Sequence, residues 1–145
     1  MLFVEIRCED GWTLFKHSKK CYRFYNNPTT WIQADTECKE LQQSSSNLAS
    51  IQDSQTDDFL TMTMTGRKRP ETWVGGRLVN GAWTWTDGSL WAVLDPHPWA
   101  PGQPDNEDGD EDSLGLNWGA TNQWNDFRGA VTVLPRICQY DPRNT

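Results

Sequence analysis

The positions of four cysteines, Cys8, Cys21, Cys38 and Cys138, constrain this chain more than any other feature. None of them falls in a C-x-x-C pair, and only two histidines are present to assist a metal site, so zinc and dithiol redox chemistry are disfavoured. Two disulfides are the better reading, and four cysteines allow three connectivities. A Cys8–Cys21 bridge would close a short local loop and leave Cys38–Cys138 to tie the early chain to its end. In the chain-entropy picture such bridges contribute about 3 and about 4.7 kcal/mol. Spacing alone leaves the other two pairings open. Disulfides of this kind imply an oxidising, extracellular compartment.

A chain of 145 residues makes one ordinary domain, able to bury roughly two thirds of its unfolded surface around a single core. Nine tryptophans combined with a mean hydropathy of -0.76 point to a core of a few large rings in a loop-rich fold. The net charge of -7 argues against nucleic acid, because phosphate binding needs clustered cations, and here the basic runs are only Lys19-Lys20 and Arg67-Lys68-Arg69. No apolar run approaches the roughly 18 residues a membrane span requires. The opening MLFVEI is too short for a signal peptide, and the expectation for a secreted chain is that Met1 stands where a leader was removed or replaced.

Along the chain, GWTLFKHSKKCYRFYNN places aromatics on either side of a polar turn and reads as a hairpin. In PTTWIQADTECKEL the residues Trp31, Ala34, Cys38 and Leu41 recur at helical spacing, with Thr29 or Thr30 available as the cap. A short strand is expected at Leu48 to Ile51, then a second helix from Asp53 or Ser54 to Gly66. From residue 72 the pattern turns to strands, broken at Asn80-Gly81 and Asp87-Gly88. A long loop with prolines at 96, 98, 101 and 104 follows, of a length that usually carries function. The terminal AVTVLPRICQY reads as a last strand bringing Cys138 back to the first helix.

Within that loop lies GQPDNEDGDEDS, residues 102 to 113. Six of its side chains are carboxylates, at Asp105, Glu107, Asp108, Asp110, Glu111 and Asp112, and they repel one another unless a cation sits among them.

The segments GWTLF...CYRFY, TWIQADTEC, LASI, TWVGG, WTWTDGS, WAPGQPD, WND and RICQY occur in the order and spacing of a C-type lectin-like domain. The match runs from Cys8 to Tyr140 and resembles the long form with an N-terminal hairpin. It implies a single α+β domain over residues 1–145, with two helices flanking small antiparallel sheets and a long calcium-binding loop, and disulfides Cys8–Cys21 and Cys38–Cys138. The family's further disulfide across the long loop is missing here, its partners matched by Ser113 and Gly129.

By the same resemblance, Gln103 and Asp105 flank a proline whose preceding peptide bond is cis. Both would ligate Ca2+ together with Glu111, Asn125 and Asp126. These side chains and the Asp126 carbonyl supply about six oxygens, which leaves room for two sugar hydroxyls. An auxiliary ion could use Asn106 and Asp112, but Arg77 would oppose it, so one ion is expected. Gln-Pro-Asp is the form that the family associates with galactose and N-acetylgalactosamine, because exchanging acid and amide swaps acceptor and donor around the ion. The sugar contacts implied are Gln103, Asp105, Glu111 and Asn125. Galactose binders usually add a stacking ring after the motif. Asn106-Glu107-Asp108 offers none, and Trp118 is the substitute, while Trp99 and Trp124 read as structural.

The partners expected are glycans, bound by a secreted domain that could form homo-oligomers. The alternatives are a member binding a protein or mineral surface, or one with another sugar specificity. An enzyme is not expected, since His17 and His97 have no evident nucleophile partner.

Overall fold

In the computed structural model, residues 5–41 and 45–144 are described. The first four residues of MLFVEI therefore lie outside the described part. Strands β1 (Thr13–Phe15) and β2 (Lys20–Thr29) form the expected hairpin. Helix α1 (Trp31–Lys39) turns Trp31, Ala34 and Cys38 inward, and of the two candidate caps it is Thr30 that accepts from Gln33 N. Strand β3 covers only Asn47–Leu48, shorter than the expected Leu48 to Ile51. Beyond Leu48 the backbone is recruited by separate partners: Ala49 N donates to Ile137 O at 3.0 Å and Ser50 N to the Gln139 side chain at 2.9 Å.

Helix α2 (Ser54–Asp58) is capped by Asp53 and widens into π-helical turns at Phe59–Met64. Threonine hydroxyls insert into this segment, with Thr61 Oγ1 donating to Asp57 O at 2.8 Å and Thr65 Oγ1 to Thr61 O at 2.7 Å, which bends a helix away from regular geometry. Strands β4 (Thr72–Val79) and β5 (Ala82–Trp85) meet at Asn80-Gly81, where both residues take the left-handed conformation a two-residue hairpin turn requires. Strands β6 (Ser113–Leu116), β7 (Asn125–Phe127) and β8 (Leu134–Tyr140) complete the fold. The last strand starts later than AVTVLPRICQY suggested, because Val131 N and Thr132 N both turn back to Arg128 O.

The expected small antiparallel sheets are joined into one mixed sheet of order β1-β2-β8-β4-β6-β7, with β3 on β8 and β5 on β4. Among the described strands, β4 and β8 pair in parallel. Because successive side chains in a strand point to opposite faces, β4 and β8 feed two cores. Val74 and Ile137 join Tyr22, Leu60, Leu114 and Trp124, whereas Trp73 and Cys138 join Trp31, Ala34, Leu48 and Phe127. The buried indoles of Trp31 and Trp73 find acceptors in Val74 O at 2.9 Å and Thr29 O at 2.8 Å. Disulfides join Cys8 to Cys21 and Cys38 to Cys138, with Cα separations of 5.7 and 5.5 Å. No helix among the described residues is long and apolar enough to cross a membrane.

Candidate functional site

Three pieces of chain build the site: the Pro104 turn, the acidic loop that follows, and strand β7. The Gln103-Pro104 bond is cis, and Gln103 N is tied to Ala100 O at 2.9 Å. Ala100 N in turn donates to Trp124 O, and Trp124 N to Pro98 O, each at 2.9 Å. The loop is thus fixed to the residue that precedes Asn125.

Strand β7 buries Asp126 completely, and its carboxylate accepts from Asn106 N at 2.7 Å and Asp105 N at 3.4 Å. Asn106 takes a left-handed conformation (φ 47, ψ 44) and turns the chain back on itself. Glu111 N then donates to Asn106 Oδ1 at 3.0 Å, and Glu107 N to Glu111 Oε1 at 2.9 Å. The result brings carboxylate oxygens of Asp105, Glu107 and Glu111 within 4.8 Å of one another. Of these, Glu107 was not among the ligands expected from sequence. Nothing in the composition of NEDGDED singles it out, because its approach to Asp105 and Glu111 depends on the backbone turn at Asn106.

The Glu111 carboxyl is pushed up to about 7, first by burial, then by its contact with the Asp105 carboxyl and by the charge of Asp126. Such crowding of acids is what a cation relieves. The amides support the same conclusion, since Gln103 Oε1 and Asn125 Oδ1 are buried acceptors with no hydrogen-bond partner among the described residues. Gln103 is joined to the cluster through Nε2, 3.4 Å from Asp105 Oδ2, and Asn125 is 5 % exposed. Buried carbonyl oxygens left without donors are costly unless something positive takes them. The donor set is oxygen only, carboxylates and amide carbonyls without nitrogen or sulfur, which suits a hard divalent ion of the calcium type rather than zinc or copper.

Two further acids of the loop, Asp110 and Asp112, have partners of their own. Asp110 accepts from Arg128 Nε at 2.9 Å, and Asp112 lies 3.8 Å from Arg77, whose guanidinium also sits 4.8 Å from the Trp31 ring centroid. Asn106, the other candidate for an auxiliary ion, spends its side-chain oxygen on Glu111 N. Trp118 is 41 % exposed in the β6–β7 turn and packs edge-on against Phe127 at 5.7 Å. Trp99 and Trp124 pack against each other at 5.6 Å, Trp124 buried in the aromatic core and Trp99 partly buried against it.

A family model described as "Lectin C-type domain" matches residues 27–140. The chain is 32% identical over 134 residues to lactose-binding lectin l-2 of Anguilla japonica, covering 90% of this chain and 76% of that protein. It is 30% identical over 125 residues to ladderlectin of Oncorhynchus mykiss, covering 83% of this chain but only 62% of the relative's length. The solved structure of C-type lectin CEL-I from Cucumaria echinata superposes with a TM-score of 0.80 at 28% identity, covering 92% of this chain and 96% of that one. Its lectin fold, all-oxygen loop site and matching family model together make this chain a member of the C-type lectin domain family.

Proposed function

We propose that this protein binds glycans through a calcium ion held by Gln103, Asp105, Glu111, Asn125 and Asp126. The observation that carries this reading is the pair of buried amide oxygens on Gln103 and Asn125 that have no partner among the described residues, together with the acids Asp105, Glu107 and Glu111, which no described cationic side chain pairs with. When bound, the calcium would offer coordination to two vicinal hydroxyls. Around it, the protein's own groups sort sugars by donor and acceptor. The Asp105 carboxylate can only accept, whereas the Gln103 amide can donate through Nε2 while its carbonyl faces the ion.

This order of acid and amide favours galactose-type sugars, galactose and N-acetylgalactosamine. The reading is in keeping with a relative named for binding lactose, a disaccharide that ends in galactose. Trp118, with its partly open ring, is the aromatic proposed to stack on the sugar's apolar face. The two disulfides support an extracellular site of action, and assembly into homo-oligomers would multiply weak single-site affinities.

Retention on immobilised galactose and on immobilised mannose, each with calcium and with EDTA, tests the proposal. Calcium-dependent retention with galactose preferred is the expected result. Retention unaffected by EDTA would refute the ion-mediated mechanism, and calcium binding with no retention on either sugar would favour a protein or mineral surface as the ligand.

A further inference from the structure

We propose that Glu107 is an additional calcium ligand, one that occupies a coordination place the sugar needs. This inference rests on the calcium reading above and concerns a residue outside the ligand set that the family resemblance implies. Two oxygens bound to one calcium at about 2.3 to 2.6 Å lie at most about 5 Å apart. The Glu107 carboxylate meets that limit with both Asp105 and Glu111, all three within 4.8 Å. Its backbone is held in place by donation from Glu107 N to Asp105 Oδ1 at 3.2 Å and to Glu111 Oε1 at 2.9 Å. Independently, the 5 % exposed Asn125 presents an unpartnered Oδ1 beside Asp126, the residue that anchors this turn.

Among the described residues Arg128 is engaged by Asp110 and Arg77 by Asp112, and no ion pair reaches Asp105, Glu107 or Glu111. Five side chains and the Asp126 carbonyl already give the ion about six oxygens of the six to eight it takes. A seventh from Glu107 leaves one place, and two vicinal hydroxyls need two. Glu107 is solvent-exposed, so its side chain can swing out without disturbing a core. It therefore acts as a displaceable arm that tightens calcium binding in the absence of sugar and must leave when sugar arrives. An arm engaged nine tenths of the time would weaken apparent sugar affinity about tenfold, because only the remaining tenth is competent.

The test compares Glu107→Gln with Asp110→Asn, which removes the same charge from the same loop at a residue paired with arginine. Terbium substituted for calcium reports the number of waters on the ion through its luminescence lifetime in H2O and D2O, and calorimetry gives calcium and galactose affinities. Glu107→Gln should add about one bound water, weaken calcium about tenfold, and tighten galactose about tenfold at saturating calcium, whereas Asp110→Asn should leave the water count unchanged. An unchanged water count in Glu107→Gln, or equal losses of calcium affinity in the two variants, overturns the assignment. An extra water in Glu107→Gln with no galactose affinity in either protein would uphold the ligand and refute the carbohydrate reading instead. Failure of the unaltered protein to bind either ion would sink the calcium reading and the inference with it.

Discussion

Trp124 donates its indole N–H to Asp57 Oδ1 at 2.7 Å, joining helix α2 to the residue that precedes Asn125, one of the proposed calcium ligands. Asp57 is only 6 % exposed, and burial, with the charge of Asp58, pushes its carboxyl up to about 7 against the opposing effect of the Trp124 hydrogen bond. A carboxyl raised in the folded state contributes stability that is complete below its unfolded value near 4 and is lost as pH rises through about 7. Asp57→Asn keeps an acceptor for Trp124 and removes the buried charge. The variant should be more stable than the original at pH 8, by roughly 2 to 4 kcal/mol, with the advantage gone by pH 4. Asp57→Ala, which orphans the indole, should be destabilised at both. Urea unfolding at the two pH values decides, and equal destabilisation of both variants at pH 8 would show that the ionised carboxylate is required.

Calcium should stabilise the protein, and more so at higher pH. In the ion-free protein Glu111, raised to about 7, contributes stability below about 4.5 that disappears as pH climbs through 7. The ion reverses that loss at neutral pH, whereas at pH 5 protons already do part of the work and compete with it. At a hundredfold excess over its dissociation constant, calcium should add about 2.7 kcal/mol, raising the melting temperature by roughly 5 to 10 °C. Scanning calorimetry with calcium or EDTA at pH 8 and pH 5 measures both shifts, and a larger shift at pH 5 would contradict the site.

Ser113 and Gly129 sit side by side, and a Cβ placed on Gly129 would lie 2.9 Å from Ser113 Cβ and 3.0 Å from Trp31 Cβ. Gly129→Ala should therefore cost about 1 to 3 kcal/mol through overpacking. The double change Ser113→Cys with Gly129→Cys replaces the clash with a bond and should recover the loss once oxidised, closing a loop for which the entropic gain is up to about 3 kcal/mol. Melting curves of the double variant with and without reductant read this, and identical curves would mean that the two positions do not bridge.

Exchanging the acid and amide of the motif, Gln103→Glu with Asp105→Asn, keeps both the ligand count and the charge. Calcium affinity should persist while preference moves from galactose toward mannose. A charged hydrogen bond contributes roughly 1.5 to 3 kcal/mol, so the relative affinities should shift about tenfold or more. Competition by the two free sugars at saturating calcium gives the ranking. An unchanged ranking would transfer specificity to the loop shape or to Trp118, for which Trp118→Ala supplies the complementary measurement.

Local signals carried much of the fold. The spacing of Trp31, Ala34 and Cys38 on one helical face and the Asn80-Gly81 turn are visible without the structure, whereas the caps were narrowed only to Thr29 or Thr30 and to Asp53 or Ser54, the structure choosing Thr30 and Asp53. What escaped depends on distant partners. The end of β3 is set by hydrogen bonds from Ala49 and Ser50 to β8, residues some ninety positions away. The π-helical widening after Asp58 follows from Thr61 and Thr65 bonding backward, a choice that the same threonines need not make on a solvent-facing helix. At the site, the proposed ligands in Gln-Pro-Asp and Trp-Asn-Asp come from the resemblance, and the structure adds the unpartnered amide oxygens of Gln103 and Asn125. The place of Glu107 was not legible in the sequence, because its carboxylate meets Asp105 and Glu111 only after the left-handed turn at Asn106.

The Cys38–Cys138 bridge encloses a span of 100 residues that includes the whole acidic loop and all of β4 through β7. A peptidase that cuts the chain once anywhere between those cysteines produces two pieces that stay covalently attached. Nicked protein would run as a single band on a non-reducing gel and separate only after reduction. Clipping in the proline-rich segment before the site would thus alter the site without shedding any part of the molecule; without reduction the cut would show only as the mass of one added water, and with reduction as two fragments.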